Sequence, residues 1–120
     1  MSNDRRRGNS DKFPVVRVEI GTITIAAAGA AEVTTTYALN GIIGTLCAEI
    51  IDTTNGVTAT LAVRDEDEFV LYTVAALTDN TLHVKTDVDI LCAGPITFGV
   101  TPSGVPGVST MTVAIVAYLV

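Results

Sequence analysis

The stretch MTVAIVAYLV, residues 111–120, decides the fold of this chain. It contains no charge and no turn former, and apolar residues occupy both faces of the extended strand that it would form. One face takes Met111, Val113, Ile115, Ala117 and Leu119, and the other takes Ala114, Val116, Tyr118 and Val120. A strand with two apolar faces is buried on both of them. We therefore predict that this segment is an integral strand of a sheet and that both of its faces are covered.

The segment IIGTLCAEII, residues 42–51, has the same two-sided character apart from Thr45 and Glu49. A β-sandwich formed by 120 residues has one interior, between its two sheets, so it buries only one face of each strand. An apolar patch left on the other face is typical of an interface between subunits. The sequence therefore predicts a homo-oligomer, with a trimer favoured. The predicted interface residues are Ile42, Ile50, Val116 and Tyr118.

The rest of the chain is also typical of strands. Val and Thr dominate it, and both are β-branched residues that favour a pleated sheet. Strand-like segments recur about every 8–12 residues between turn signals, a spacing typical of sandwiches and barrels. We predict an all-β protein with a single β-sandwich or jelly-roll-like domain of about eight strands. Jelly-roll and immunoglobulin-like topologies both fit this pattern.

Turn and bulge signals predict the path of the chain. The apolar positions change parity at Gly21, which indicates a bulge in one long strand that crosses between the two sheets. Asn40-Gly41 is a dipeptide of the kind that closes hairpins. Gly94-Pro95 is predicted to break the chain between two strands. The four consecutive acids Asp65 to Glu68 are predicted to form the tip of a hairpin.

The charges divide the chain into an arm and a body. Residues 1–12 show no periodicity and carry a cationic group formed by Arg5, Arg6, Arg7 and Lys12. The net charge of the whole chain is −6, so the body, residues 13–120, is acidic. We predict a flexible basic N-terminal arm that either docks on a partner or remains a solvated tail. The acidic body disfavours nucleic acid as a partner because nucleic-acid binding needs a basic face.

The sequence contains little that indicates catalysis. His83 is the only histidine, and the alternation around it predicts an outward-facing position on a strand. Cys47 and Cys92 lie far apart in apolar segments, so we predict buried free thiols, with a structural disulfide as the alternative. No nucleophile, base and orienting group are grouped in a recognisable motif. We predict that the protein is not an enzyme and has no cofactor and no catalytic or metal site; calcium at Asp65–Glu68 is left open.

The sequence also bears on the compartment in which the protein is made. Apolar residues make up 48% of the chain and charged residues 17%, yet no apolar run approaches the roughly 18 residues of a membrane span. The polar N-terminus has no apolar segment of the kind that follows the basic residues of a secretory signal. We predict no membrane contact and synthesis in a cytosol.

From Asn40 onward, the chain resembles small β-rich virion proteins of tailed bacteriophages. Those proteins have a strand led by glycine, a Thr/Val strand, an acidic D-x-D tip, a VLYT-like strand and a final Thr/Val strand with a tyrosine. The matching positions here are Gly41, Val57–Val63, Asp65 and Asp67, Val70–Thr73, and Thr110–Tyr118. The family includes capsid decoration or cement proteins and other head or neck components. The triple-arginine arm has no fixed counterpart in it.

The resemblance implies a structural role in a virion that is assembled in the host cytoplasm. The expected function is that of a capsid decoration or cement protein, with the major capsid protein or other virion proteins as partners. Another component of the neck or of the head-tail region is an alternative within the same class. The alternative from a different class is an adhesin-like or lectin-like module that binds a carbohydrate or a host surface. The absence of Trp disfavours that second class because sugar sites usually offer aromatic platforms.

Overall fold

The computed structural model describes residues 15–51, 56–78, 80–107 and 110–120. These residues form six strands: β1 (Val16–Ile25), β2 (Val33–Ile51), β3 (Ala59–Arg64), β4 (Val70–Leu77), β5 (Leu82–Pro102) and β6 (Met111–Leu119). The strands pair antiparallel in the order β1-β6-β2-β5-β3-β4. No helix occurs in the described ranges, and none therefore qualifies as a membrane span. The prediction of an all-β domain is confirmed.

Strands β2 and β5 are long enough to belong to two sheet halves. Residues 43–51 of β2 pair with β6 on one side and with the N-terminal part of β5 on the other. Residues 97–102 of β5 pair with β3 on one side and with the N-terminal part of β2 on the other. We call the first group, with β1, the β6 half, and the second group, with β4, the β3 half.

The two halves pack with their inner faces together and enclose one core. Leu46 and Ala48 of the β6 half line a residual cavity of about 10 Å³ together with Leu61, Val74 and Leu77 of the β3 half. All five side chains belong to a single cluster of buried apolar residues to which every strand contributes. The arrangement is therefore a β-sandwich whose two layers are continuous through β2 and β5.

The prediction of about eight strands is not confirmed, since the described residues form six. Asn40-Gly41 and Gly94-Pro95 do not separate strands, because the ladder between β2 and β5 continues through both of them, with Leu39 opposite Gly94 and Gly41 opposite Cys92. Gly41 and Gly94 have φ angles of 132° and 111°, which side chains disfavour. The paired strands bend together at these glycines, so two predicted pairs of strands form β2 and β5.

The bulge predicted at Gly21 is confirmed, but the predicted crossing of β1 is wrong. The register between β1 and β6 shifts between Glu19 and Gly21, and β1 pairs with β6 on both sides of the shift. The shift keeps Ile20 and Ile23 on the inner face, and both are buried. The change in parity of the apolar positions in the sequence therefore reflects the extra residue of a bulge. The strands that join the two halves are β2 and β5.

Candidate interaction surface

The C-terminal strand β6 lies between β1 and β2 and is paired on both sides. Its residues alternate between full and partial burial along the whole strand. The fully buried set lies in the core, as predicted: Met111, Val113, Ile115, Ala117 and Leu119. Val116 and Tyr118 lie on the outer face and are half-buried by their neighbours in the sheet. The prediction of an integral terminal strand is confirmed.

The register places the outer side chains of the β6 half in rows across its four strands. The first row runs Glu19, Val116, Cys47, Val84. The second runs Arg17, Tyr118, Thr45, Thr86. The third runs Thr22, Ala114, Glu49, Leu82. We call these residues the outer β6 face. Six of them form a contiguous apolar patch: Cys47, Leu82, Val84, Ala114, Val116 and Tyr118. The remaining six are polar: Thr22, Thr45 and Thr86, with charges at Arg17, Glu19 and Glu49.

The outer β6 face contains a shallow concavity with a volume of about 310 Å³. Its lining comprises Arg17, Glu19, Cys47, Glu49, Leu82, Ala114, Val116 and Tyr118. The guanidinium Nη1 of Arg17 lies 3.7 Å from Oε1 of Glu19 across the rim. Both side chains are more than half exposed, so this ion pair contributes little to stability. The surface therefore combines an apolar floor with charged groups that remain available to a partner.

The outer face of the β3 half has a different character. Threonines cover much of it: Thr34, Thr36, Thr60, Thr97 and Thr101. Glu32 and Arg64 form an ion pair of 2.9 Å that crosses Gly99 of β5. A side chain at Gly99 would overlap the Glu32 carboxylate, so the glycine leaves room for the pair. This face is suited to water, whereas the outer β6 face is suited to a partner.

The structure separates the four predicted interface residues. Val116 and Tyr118 lie together on the outer β6 face. Ile42 is 39% exposed at the bend of β2, where its carbonyl accepts a hydrogen bond of 2.9 Å from the Val120 amide. Ile50 is 0% exposed and belongs to the core, so it presents no surface to a partner. The arm residues Arg5, Arg6, Arg7 and Lys12 lie outside the described residues.

Both cysteines are free thiols, as predicted, but only Cys92 is buried; Cys47 is half-buried. Burial raises the pKa of Cys92, and a backbone hydrogen bond at Ile43 opposes this in part. Burial also raises the pKa of Cys47 on the outer β6 face, and the nearby positive charge of Arg17 lowers it in part. A thiol with a raised pKa is a poor nucleophile near neutral pH because the thiolate is the reactive form. Neither cysteine has the environment of a catalytic thiol.

The predicted outward position of His83 was wrong. Leu82 and Val84 are the exposed residues, and His83 faces the inner side, beside the residual cavity in the core. The amide of Thr78 donates a hydrogen bond of 3.0 Å to Nε2 of His83. This hydrogen bond therefore stabilises the connection between β4 and β5, and the role of His83 is structural.

The acidic tetrad forms the tip between β3 and β4, as predicted. The Oδ1 atom of Asp65 accepts hydrogen bonds of 2.9 Å from the amides of Asp67 and Phe69. The amide of Glu68 donates to the carbonyl of Asp65 at 3.1 Å and closes the turn. Within the described ranges, no three His, Cys, Asp or Glu side chains are grouped to hold a metal ion. The carboxylate of Asp65 thus stabilises the turn by accepting these backbone hydrogen bonds.

No protein-family model matches the chain, and no curated protein matches it. A low-affinity xylan-binding module from Roseburia intestinalis superimposes with a TM-score of 0.50 at 12% identity, over 87% of this chain and 93% of that one. The Yersinia pseudotuberculosis-derived mitogen superimposes with a TM-score of 0.48 at 14% identity, over 88% of this chain and 86% of that one. The VP2 subviral particle of infectious bursal disease virus superimposes with a TM-score of 0.46 at 13% identity, over 88% of this chain but only 32% of that one. The likeness to the xylan-binding module shows a shared β-sandwich fold alone.

Proposed function

We propose that the protein is a structural protein of a tailed-bacteriophage virion, where it serves as a capsid decoration or cement protein. Its subunits associate, with a trimer favoured, and bind the assembled shell through the major capsid protein or other virion proteins. The observation that carries this proposal is the contiguous apolar patch on the outer β6 face, centred on Val116. The assignment to a phage shell rests on the sequence resemblance of residues 41–118.

The outer β6 face supports a role in assembly because of its contrast with the outer face of the β3 half. Monomeric proteins seldom leave a contiguous apolar sheet face in water, and permanent interfaces resemble a core cut in two. Val116 stands between Glu19 and Cys47 in the middle of the face, so a partner that covers it excludes water from the whole row. Repetition of such contacts over a shell multiplies a modest affinity.

The variant Val116→Asp tests this function. The side chain at position 116 is outside the core, so the subunit is expected to stay folded, while a carboxylate in a covered apolar surface costs several kcal/mol. At low micromolar concentration, light scattering should show a fall in mass from the oligomer to the 12.5 kDa subunit, with an unchanged circular dichroism spectrum. The variant should also fail to bind particles that lack the protein, whereas the wild type binds them.

Thr101→Asp is the matched control for Val116→Asp, because Thr101 is exposed on the outer face of the β3 half. This change should leave both mass and particle binding unaltered. A wild-type protein that sediments as a monomer at micromolar concentration, or a Val116→Asp variant that assembles normally, would contradict the proposal.

The second candidate function is carbohydrate binding, and the concavity of the outer β6 face is the observation that favours it. Tyr118 offers an aromatic ring, while Arg17, Glu19 and Glu49 offer hydrogen-bonding groups around the same depression. A concave surface with a few convergent polar groups is the usual form of a small-ligand site. The ring of Tyr118 is the single aromatic group among the residues that line it, which is why this candidate stands second.

Affinity electrophoresis in soluble xylan separates the two functions. If the concavity binds sugars, the polysaccharide should retard the wild type, and Tyr118→Ala should migrate freely. Thr101→Ala, on the opposite surface of the sandwich, should behave as the wild type does. Equal migration of all three proteins with and without xylan, and with a panel of other soluble polysaccharides, removes the sugar-binding candidate and leaves the structural one.

A further inference from the structure

The sheet has four free edges among the described residues, and three of them are interrupted. Each half ends in two strands that have a partner on one side only. β1 carries the bulge at Gly21 together with Arg17 and Glu19. β4 has two register shifts against β3, and Ala76 there has a φ of 59°. Such devices protect an edge from pairing with another chain.

The third interrupted edge is the N-terminal part of β5. Residues 87–89 of β5 stand opposite the single residue Gly44 of β2. Asp87 and Asp89 within this bulge have φ angles of 55° and 51° and are exposed. Two charged residues in left-handed conformations disrupt a strand edge both electrostatically and geometrically.

The fourth edge, residues 33–40 of β2, has none of these devices. Its pairing with β5 runs one residue to one residue from Val33 to Asn40 without a shift. The segment, VTTTYALN, contains no charge, no proline and no glycine, and it is rich in β-branched residues. Pairing with β6 begins only at Ile43. We call residues 33–40 the open edge.

Two observations indicate which amides of the open edge point away from the sheet. Ala38 stands opposite Pro95, and proline has no amide hydrogen to exchange in a hydrogen-bonded pair. The Oγ1 atoms of Thr36 and Thr97, which also face each other, lie 3.3 Å apart, as expected where side chains approach in a non-hydrogen-bonded pair. In such pairs the amides point outward, so those of Thr34, Thr36 and Ala38 face the open edge.

We infer that the open edge is a second interface, at which two copies of the chain pair antiparallel and join their β3 halves into one sheet. An antiparallel contact between identical segments has two-fold symmetry and closes on itself. Because the segment is uncharged, no like charges stand opposite each other, and threonine side chains can pair across the new ladder as they do within the subunit.

The basic arm is the less suitable occupant of the open edge. Residues 1–12 are rich in Asn, Asp, Gly and charged residues, which are depleted in strands. The open edge, by contrast, already has a strand sequence and an extended conformation. A strand of eight residues is only about 26 Å long, so the contact falls at the small end of specific interfaces. We expect a weak dimer, which gains strength when many copies sit on one lattice.

Hydrogen exchange followed residue by residue tests this inference. The amides of Val33, Thr35 and Tyr37 bond to β5 and should exchange slowly at every protein concentration. The amides of Thr34, Thr36 and Ala38 should exchange rapidly when dilute and at least roughly tenfold more slowly when the dimer predominates. The Val116→Asp variant is the background of choice, since its loss of outer-face contacts leaves the edge as the remaining interface.

Substitutions at the edge complete the test. Thr36→Pro removes one outward amide but no bond to β5, and Thr36→Lys places like charges near each other across the two-fold axis; either change should abolish the concentration-dependent protection. Thr101→Lys, on an interior strand of the same half, should not. Protection of Thr34, Thr36 and Ala38 that does not change over a hundredfold range of concentration would overturn the inference. So would protection that disappears when residues 1–12 are deleted, because the arm would then be the added strand.

Discussion

Replacing Ile115 by aspartate is expected to unfold the subunit. Ile115 is 1% exposed and stands in a central strand, opposite Gly21 of β1 and Ala48 of β2. The described members of the core cluster to which Ile115 belongs are apolar side chains, and these cannot compensate the charge of a new carboxylate. Burying an unpaired charge costs several kcal/mol, against a total stability of about 5–15 kcal/mol. Far-ultraviolet circular dichroism should show the loss of β structure.

A graded series keeps this prediction informative if Ile115→Asp fails to accumulate. Ile115→Val removes one methyl group and should cost about 0.5–1.5 kcal/mol in urea unfolding, and Ile115→Ala should cost about 2–5 kcal/mol. Val116→Asp, one residue away on the other face, should remain folded. A folded Ile115→Asp with normal stability would mean that residues 111–120 are not part of the core, and the argument for the outer β6 face would be lost with it.

The alternation in residues 111–120 was sufficient to predict β6 because both faces are apolar and local pattern alone assigns residues to faces. The same reasoning predicted the wrong face for His83. Alternation shows that Leu82 and Val84 share a face, but not which face meets the core. The bulge at residues 87–89 and the packing of His83 against the turn at Thr78 decide that, and neither is visible in a local pattern.

The path of β2 was missed for a related reason. Asn40-Gly41 closes a hairpin when the flanking strands pair with each other, but here both flanks pair with β5. Gly41 on β2 and Gly94 on β5 both have positive φ and lie close together in the paired strands, opposite Cys92 and Leu39, but they are far apart in sequence. Only part of the candidate surface could be predicted from the sequence. The outward position of Val116 and Tyr118 follows from local alternation, whereas the burial of Ile50 depends on how the two halves pack.

Replacing Phe98 by alanine is expected to give the second large loss of stability. Phe98 is 0% exposed and is among the largest fully buried side chains. It stands in β5 between Thr35 of β2 and Val63 of β3, in the middle of the β3 half. Truncation of a buried phenylalanine leaves a cavity and costs about 3–5 kcal/mol. At a fixed protein concentration, the melting temperature should fall by about 10–20 °C.

Thr97→Ala is the matched control for Phe98→Ala. Thr97 is the adjacent residue on the outer face, where it contacts Thr36 at 3.3 Å, and its loss should cost no more than about 1 kcal/mol. Urea unfolding of both variants measures the difference, and the slope against urea should not change because the same surface becomes exposed. If Phe98→Ala were no more destabilising than Thr97→Ala, the inner face of the β3 half would not be packed against the β6 half. A single open sheet would then replace the sandwich, and both of its faces would need a partner.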